Sequence, residues 1–145
     1  VVKSTSLEPR LGNPTPRIVE TPSGILNAIG LQNGGIDNFL AEKLPFLRQF
    51  DVPVIVNLVG YEVGDYVTLA ERLTEAGGVH GLEINISCPN VKHGCDFAVD
   101  PDLTGELIRE IRKVTDLTLI TKLSPNVTDL VPIARAAVEA GSDGL

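Results

Sequence analysis

Val52-Pro-Val-Ile-Val-Asn57, a stretch from Asp65 to Ala76, and then Gly81-Leu-Glu-Ile-Asn-Ile86 decide how this chain folds. The first run is apolar and β-branched, as a buried strand requires. The second carries Tyr66, Leu69, Ala70 and Leu73 at helical spacing, and the third returns to a strand pattern.

The same alternation continues outward. Asp100-Pro101 supplies an N-cap and a first-turn proline for a helix whose apolar stripe is Leu103, Leu107, Ile108, Ile111 and Val114. Thr118 to Leu123 reads as a strand. Thr128 is expected to cap a helix with Leu130, Val131, Ala134, Ala137 and Val138 inward, closed by Gly141 where helices end left-handed. Ser142 opens another strand, and Val1 to Thr5 reads as the tail of an earlier one. Strand starts near 53, 81, 118 and 142 are 28, 37 and 24 residues apart, which suits strand–helix units with right-handed crossovers and a parallel sheet.

A closed (β/α)8 barrel and an open doubly wound sheet both fit that spacing. A barrel takes roughly 250 residues, so a chain of 145 would supply about half of one. Two features favour the barrel. No Gly-rich phosphate loop follows the first strand; Gly77-Gly-Val-His-Gly81 precedes a strand and reads as a helix-ending turn. Polar residues also stand at strand ends, Lys3, Asn57, Asn85 and Lys122, as they do at the mouth of a barrel. The expectation is an α/β fold, a single partial (β/α)8 barrel domain over residues 1–145, cut at both ends. The absence of methionine, even at position 1, is what suggests the cuts. Segment 10–33 departs from the repeat as a hairpin and loop insertion, with Arg17 to Glu20 pairing Gly24 to Asn27. Such long βα loops hold substrate in barrel enzymes.

Composition narrows the function. Twelve Lys+Arg against nineteen Asp+Glu give a net charge of −7, which argues against nucleic-acid and membrane-surface partners. No apolar run approaches the roughly 20 residues of a bilayer span. No secretory signal opens the chain. Two cysteines, Cys88 and Cys95, make no disulfide framework, so the reading is a cytoplasmic protein. His80 and His93 have no helical partner, and no metal site is expected.

Asn85-Ile-Ser-Cys-Pro-Asn90 is the densest polar cluster. A lone cysteine is by default a small buried hydrophobe. Beside two asparagines and a serine, Cys88 reads instead as a nucleophile or base, with a nearby lysine to favour the thiolate. A cysteine hydrolase is disfavoured because no histidine is placed to activate it. Lys3 and Lys122, at one end of different strands, would put positive charge into one cavity, suiting an anionic ligand or an electron-rich ring. Asn27-Ala-Ile-Gly-Leu31 reads either as a simple turn or as a concave set of amides that traps a carboxylate.

Four ordered stretches together resemble class I dihydroorotate dehydrogenase: Lys3 to Arg17, Leu26 to Asn33, Asn85-Ile-Ser-Cys-Pro-Asn-Val91 and Thr121 to Asn126. They cover the chain nearly end to end. Dihydropyrimidine dehydrogenase shares the cysteine motif but follows Cys-Pro with His-Gly, whereas Asn90-Val91 stands here. Pro53-Val-Ile-Val-Asn-Leu-Val-Gly60 resembles the type B branch, whose flavin subunit works with a separate subunit carrying FAD and an iron–sulfur centre. The resemblance implies FMN-dependent oxidation of dihydroorotate to orotate in pyrimidine biosynthesis by an oligomeric enzyme. It makes Cys88 the base for the C5 proton while hydride passes from C6 to FMN. It gives Lys3, Asn27, Asn85 and Asn90 to the substrate, with the amides of Ile29, Gly30 and Leu31 on the carboxylate. Lys3, Ser4, Asn57, Asn85 and Lys122 would hold the flavin. The loop Lys92 to Asp100 departs from the family, carrying His93 and Cys95 around one glycine where a pair is usual. The family's remaining substrate asparagine and its FMN-phosphate loops fall beyond Leu145, so an inactive partial barrel is the second reading. A dihydropyrimidine-dehydrogenase-like flavin enzyme is the third.

Overall fold

A computed structural model describes residues 1–87 and 97–145. The elements run β1 (Val2–Thr5), β2 (Ile18–Thr21), β3 (Gly24–Asn27), then α1 (Gly35–Asn38), a π-helical stretch (Phe39–Lys43) and α2 (Leu44–Leu47). They continue as β4 (Ile55–Leu58), α3 (Val63–Ala76), β5 (Gly81–Asn85), α4 (Pro101–Arg112), β6 (Thr118–Lys122) and α5 (Val131–Glu139). Strands β1, β4, β5 and β6 form one parallel sheet in that order, and β2 pairs β3 in a separate antiparallel hairpin. Neighbours in the sheet are neighbours in the repeat. A doubly wound sheet would reverse its order at a switch point, so this is an arc of a (β/α)8 barrel.

Period-two alternation sorts the strand side chains. Val56, Leu58, Leu82, Ile84 and Leu119 are fully buried, and they join Leu69, Leu73, Leu107, Ile108 and Ile111 of the helices in one core. The opposite face carries Asn57, Glu83, Asn85, Ile120 and Lys122. Helix α3 buries Tyr66, Leu69, Ala70 and Leu73, the four positions its spacing picks out. Helix α4 begins where expected, with Asp100 Oδ1 accepting from the amides of Asp102 (2.8 Å) and Leu103 (3.2 Å). Past Ser142, where a further strand is expected, a single parallel bridge joins Gly144 to Ile120.

Three expectations are corrected. The strand from Val52 starts only at Ile55: Pro53 has no amide for a ladder, and Val54 gives its amide to His80 Nδ1 at 3.0 Å. Thr128 does not cap the last helix. Asp129 Oδ1 accepts from the amide of Val131 at 2.9 Å, and Pro132 occupies the first turn of α5. The inward stripe also differs from the expected one: Ile133, Ala137 and Ala140 are buried while Leu130, Val131 and Val138 are exposed. The hairpin slips by one residue: Ile18 pairs Asn27 and Thr21 pairs Gly24, leaving Pro22 and Ser23 as the turn.

The helical run over 35–47 has no counterpart in the sequence reading. Pro45 gives no amide to the carbonyl of Ala41, and the backbone ahead of it widens into the π-helical stretch. The run still buries Ile36, Phe39 and Leu44.

Candidate functional site

Parallel strands carry polar residues toward one rim. Lys3 and Ser4 are the two residues before Thr5, the last of β1, Asn57 is next to last in β4, and Asn85 and Lys122 are register partners at the ends of β5 and β6. Ser4 Oγ donates to Asn57 Oδ1 at 2.6 Å. Asn57 Nδ2 in turn donates to Glu83 Oε2, its register partner on β5. Three strands are therefore stitched by side chains as well as by the backbone ladder.

Asn85 is buried, and its Oδ1 accepts from Ser87 Oγ (2.7 Å) and the Ser87 amide (3.3 Å). Its backbone carbonyl accepts from the Tyr66 hydroxyl at 2.9 Å. Tyr66 meets Phe97 edge to face, with centroids 6.0 Å apart. The aromatic pair thus supports the strand end from beneath.

The insertion folds back over β1. Arg10 and Asn33 exchange backbone hydrogen bonds of 2.9 and 3.1 Å. Asn33 Oδ1 accepts from the Gly35 amide at 2.8 Å, and Asn33 Nδ2 donates to the Leu31 carbonyl at 2.9 Å. Asn13 donates through its amide to Ile29 (2.9 Å) and through Nδ2 to Ala28 (2.7 Å). Gly30 has φ +78°, and a Cβ there would lie 2.8 Å from the Asn13 amide, so the close approach requires glycine. Leu31 follows at φ +56°.

This folding forms a half-open cavity of about 650 Å³ lined by Lys3, Ser4, Asn27, Ile29, Gly30 and Leu31, with Ala28 and Gln32 completing the wall. Six residues singled out from the sequence therefore meet in one space. Among the described residues, the amides of Ile29, Gly30 and Leu31 donate to no acceptor, which leaves three N–H groups for an anion. Lys3 and Lys122 form no ion pair among the described residues. Asn57 is tied to the cavity wall through Ser4, while Asn85 and Lys122 stand side by side on β5 and β6, two and three strands along from β1. Cys88 and Asn90, with His93 and Cys95, lie outside the described residues.

A slightly larger cavity, about 680 Å³, lies between Val99, Pro101, Pro125, Asn126, Val127, Thr128, Asp129, Pro132 and Ile133. It contains none of the candidate site residues and no cation, and Asp129, its one charged group, accepts a hydrogen bond from the Val131 amide. Volume alone does not single out a site; the candidate residues gather at the β1 cavity.

Sequence reasoning passed over Glu83 and treated Tyr66 as core only. The signal for Glu83 is alternation: in Gly81-Leu-Glu-Ile-Asn85 the acid shares a face with Asn85. Among the described residues no three His, Cys, Asp or Glu side chains are placed to hold a metal ion. No helix among them is long and apolar enough to cross a membrane.

A family model described as dihydroorotate dehydrogenase matches residues 1–145. The chain is 55% identical over 146 residues to the dihydroorotate dehydrogenase B (NAD(+)) catalytic subunit of Anoxybacillus flavithermus, covering 100% of this chain and 47% of that one. It is 58% identical to the protein of the same name from Geotalea daltonii, covering 100% and 48%. The chain thus spans about half the length of the curated relatives it matches. Among solved structures, that of DHODH from Eimeria tenella in complex with ferulenol superimposes with a TM-score of 0.77 at 23% identity, covering 98% of this chain and 47% of that one.

Proposed function

Because this chain belongs to the dihydroorotate dehydrogenase family, we propose that it forms part of a flavin site where dihydroorotate is oxidised to orotate in pyrimidine biosynthesis. The observation that carries this reading is the cavity that gathers Lys3, Ser4, Asn27 and the unengaged amides of Ile29, Gly30 and Leu31.

The donor set suits FMN: a lysine, a hydroxyl and carboxamides match a polar, planar ring. Lys3, Ser4, Asn57, Asn85 and Lys122 are the residues to hold it, and when bound it supplies the two-electron acceptor. Lysines at the rim favour the extra negative charge of a reduced ring. Loss of a C5 proton and a C6 hydride leaves the C5=C6 double bond of orotate. Cys88 is the base that takes the C5 proton; its frame, Asn85-Ile-Ser-Cys-Pro-Asn90, supports that role. Lys3, Asn27, Asn85 and Asn90 would bond the pyrimidine ring. The amides of Ile29, Gly30 and Leu31 would take the carboxylate, an anion that needs N–H donors once water is excluded.

The relatives' names, an NAD(+) enzyme's catalytic subunit, support a second subunit that passes electrons on. We assign to it FAD and an iron–sulfur centre, and place the oligomeric assembly in the cytoplasm. The test uses the full-length protein that carries residues 1–145. It should bind FMN, and dihydroorotate added without oxygen should bleach the flavin absorbance. A yellow protein that dihydroorotate leaves unbleached would overturn the reading.

A further inference from the structure

Glu83 is the only acidic residue in the four parallel strands, and it is half-buried on the face that carries Asn57 and Asn85. Its Oε2 accepts from Asn57 Nδ2, and Asn57 Oδ1 accepts from Ser4 Oγ at 2.6 Å. The direction of both bonds follows from the acid. A carboxylate oxygen has no proton to give, so the Asn57 atom beside it has to be the amide nitrogen. The amide oxygen then faces Ser4 and can only accept. Ser4 gives it the single proton of its hydroxyl and keeps only lone pairs for the cavity that it lines.

We propose that Glu83 is a positioning residue of the flavin site, locking the Asn57 carboxamide so that Ser4 meets the ligand as a hydrogen-bond acceptor. The site then selects a ring edge bearing an N–H opposite Ser4 and disfavours one bearing only acceptors. This rests on the reading that Ser4 and Asn57 hold FMN. Without the acid, Asn57 can turn over, and Ser4 would present its proton in one arrangement and its lone pairs in the other. A glutamine keeps the size but can offer either oxygen or nitrogen, so it removes the direction while preserving the packing.

The test is FMN titration of the full-length apoprotein, read by dissociation constant and visible absorption spectrum. It compares wild type, Glu83→Gln, Ser4→Ala and the double variant, with thermal unfolding of each apoprotein alongside. Expected are an unfolding temperature for Glu83→Gln close to wild type and FMN binding roughly tenfold weaker. Ser4→Ala should weaken binding similarly, and the double variant should bind no worse than the weaker single one, because the second change removes what the first had already disordered. Glu83→Gln binding FMN with wild-type affinity and spectrum overturns the proposal, as does a double variant whose losses multiply. If wild type itself binds no FMN, the flavin reading fails and takes this one with it, an outcome distinct from the other two. Should Glu83→Gln fold poorly, Glu83→Asp serves instead: it keeps the charge, so restored affinity despite a shorter reach supports the lock and its absence overturns it.

Discussion

Ser4 Oγ and Asn57 Oδ1, 53 residues apart in the chain, meet at 2.6 Å across the boundary between β1 and β4. β1 pairs β4 with an irregularity between Val2 and Thr5, so the ladder loses register where Ser4 stands. The side-chain bond ties the two strand ends together at the place where the backbone does so least. Asn57 is 5% exposed, and removing its carboxamide leaves the Ser4 donor and the Glu83 acceptor without their partner. Asn57→Ala should therefore cost about 1–3 kcal/mol of stability. Urea unfolding at neutral pH checks this; a change within about 0.5 kcal/mol, the level of an ordinary surface substitution, would show that the Ser4–Asn57–Glu83 chain does not hold the rim.

The barrel repeat and most of this rim are legible in the sequence because they depend on short-range periodicity. Tyr66, Leu69, Ala70 and Leu73 declare α3, and the polar residues at strand ends declare the rim. What escaped depends on events that periodicity does not encode. The start of α5 moved past Thr128 because Pro132 fits a first turn and Asp129 takes the Val131 amide. The strand at β4 shortened because a histidine side chain took the Val54 amide. Glu83 reads as an acid in a strand until the register with Asn57 is known. The run over 35–47 mixes α and π turns, so no single period marks it.

The N-cap of α4 rests on one side chain, Asp100. Asp100 Oδ1 satisfies two otherwise orphaned amides, those of Asp102 and Leu103. Asp100→Ala should destabilise the fold by about 1 kcal/mol, and Asp100→Asn by less, since an amide oxygen still accepts. Thermal unfolding of the two variants side by side would test the order; equal losses would mean that the charge, and not the cap, is what counts.

The two cysteines should separate cleanly. In the full-length protein, Cys88→Ala should keep FMN bound yet slow flavin reduction by dihydroorotate roughly 10²- to 10⁴-fold, the range of a lost general base. Cys95→Ala should leave that rate nearly intact, because Cys95 lacks the Asn-x-Ser-Cys-Pro-Asn frame. Stopped-flow absorbance reads both. A Cys88→Ala rate within a factor of two of wild type would assign the base elsewhere.

Asp143 closes the last strand–helix unit and should give the fold an acid-sensitive clasp. Its Oδ2 accepts from the Leu119 amide at 2.8 Å and from Arg112 Nη2 at 2.6 Å. Arg112 also donates to the carbonyls of Gly141, Thr115 and Leu117, so one guanidinium gathers α4, the start of β6 and the turn after α5. The Leu119 amide, helped by Arg112 and opposed by partial burial, holds the Asp143 carboxyl below its ordinary value of 3.8. A depressed folded-state pKa means that this stabilisation is complete above the unfolded value. It disappears as pH falls from about 4 through the lowered native value. Asp143→Asn keeps an acceptor for Leu119 but removes the titration. Its stability should therefore fall less than that of wild type between pH 6 and pH 3, and the gap should narrow in high salt, because the carboxylate is about half exposed and its pairing with Arg112 is screened. Parallel pH profiles for the two proteins, by urea unfolding at low and high salt, would contradict the clasp.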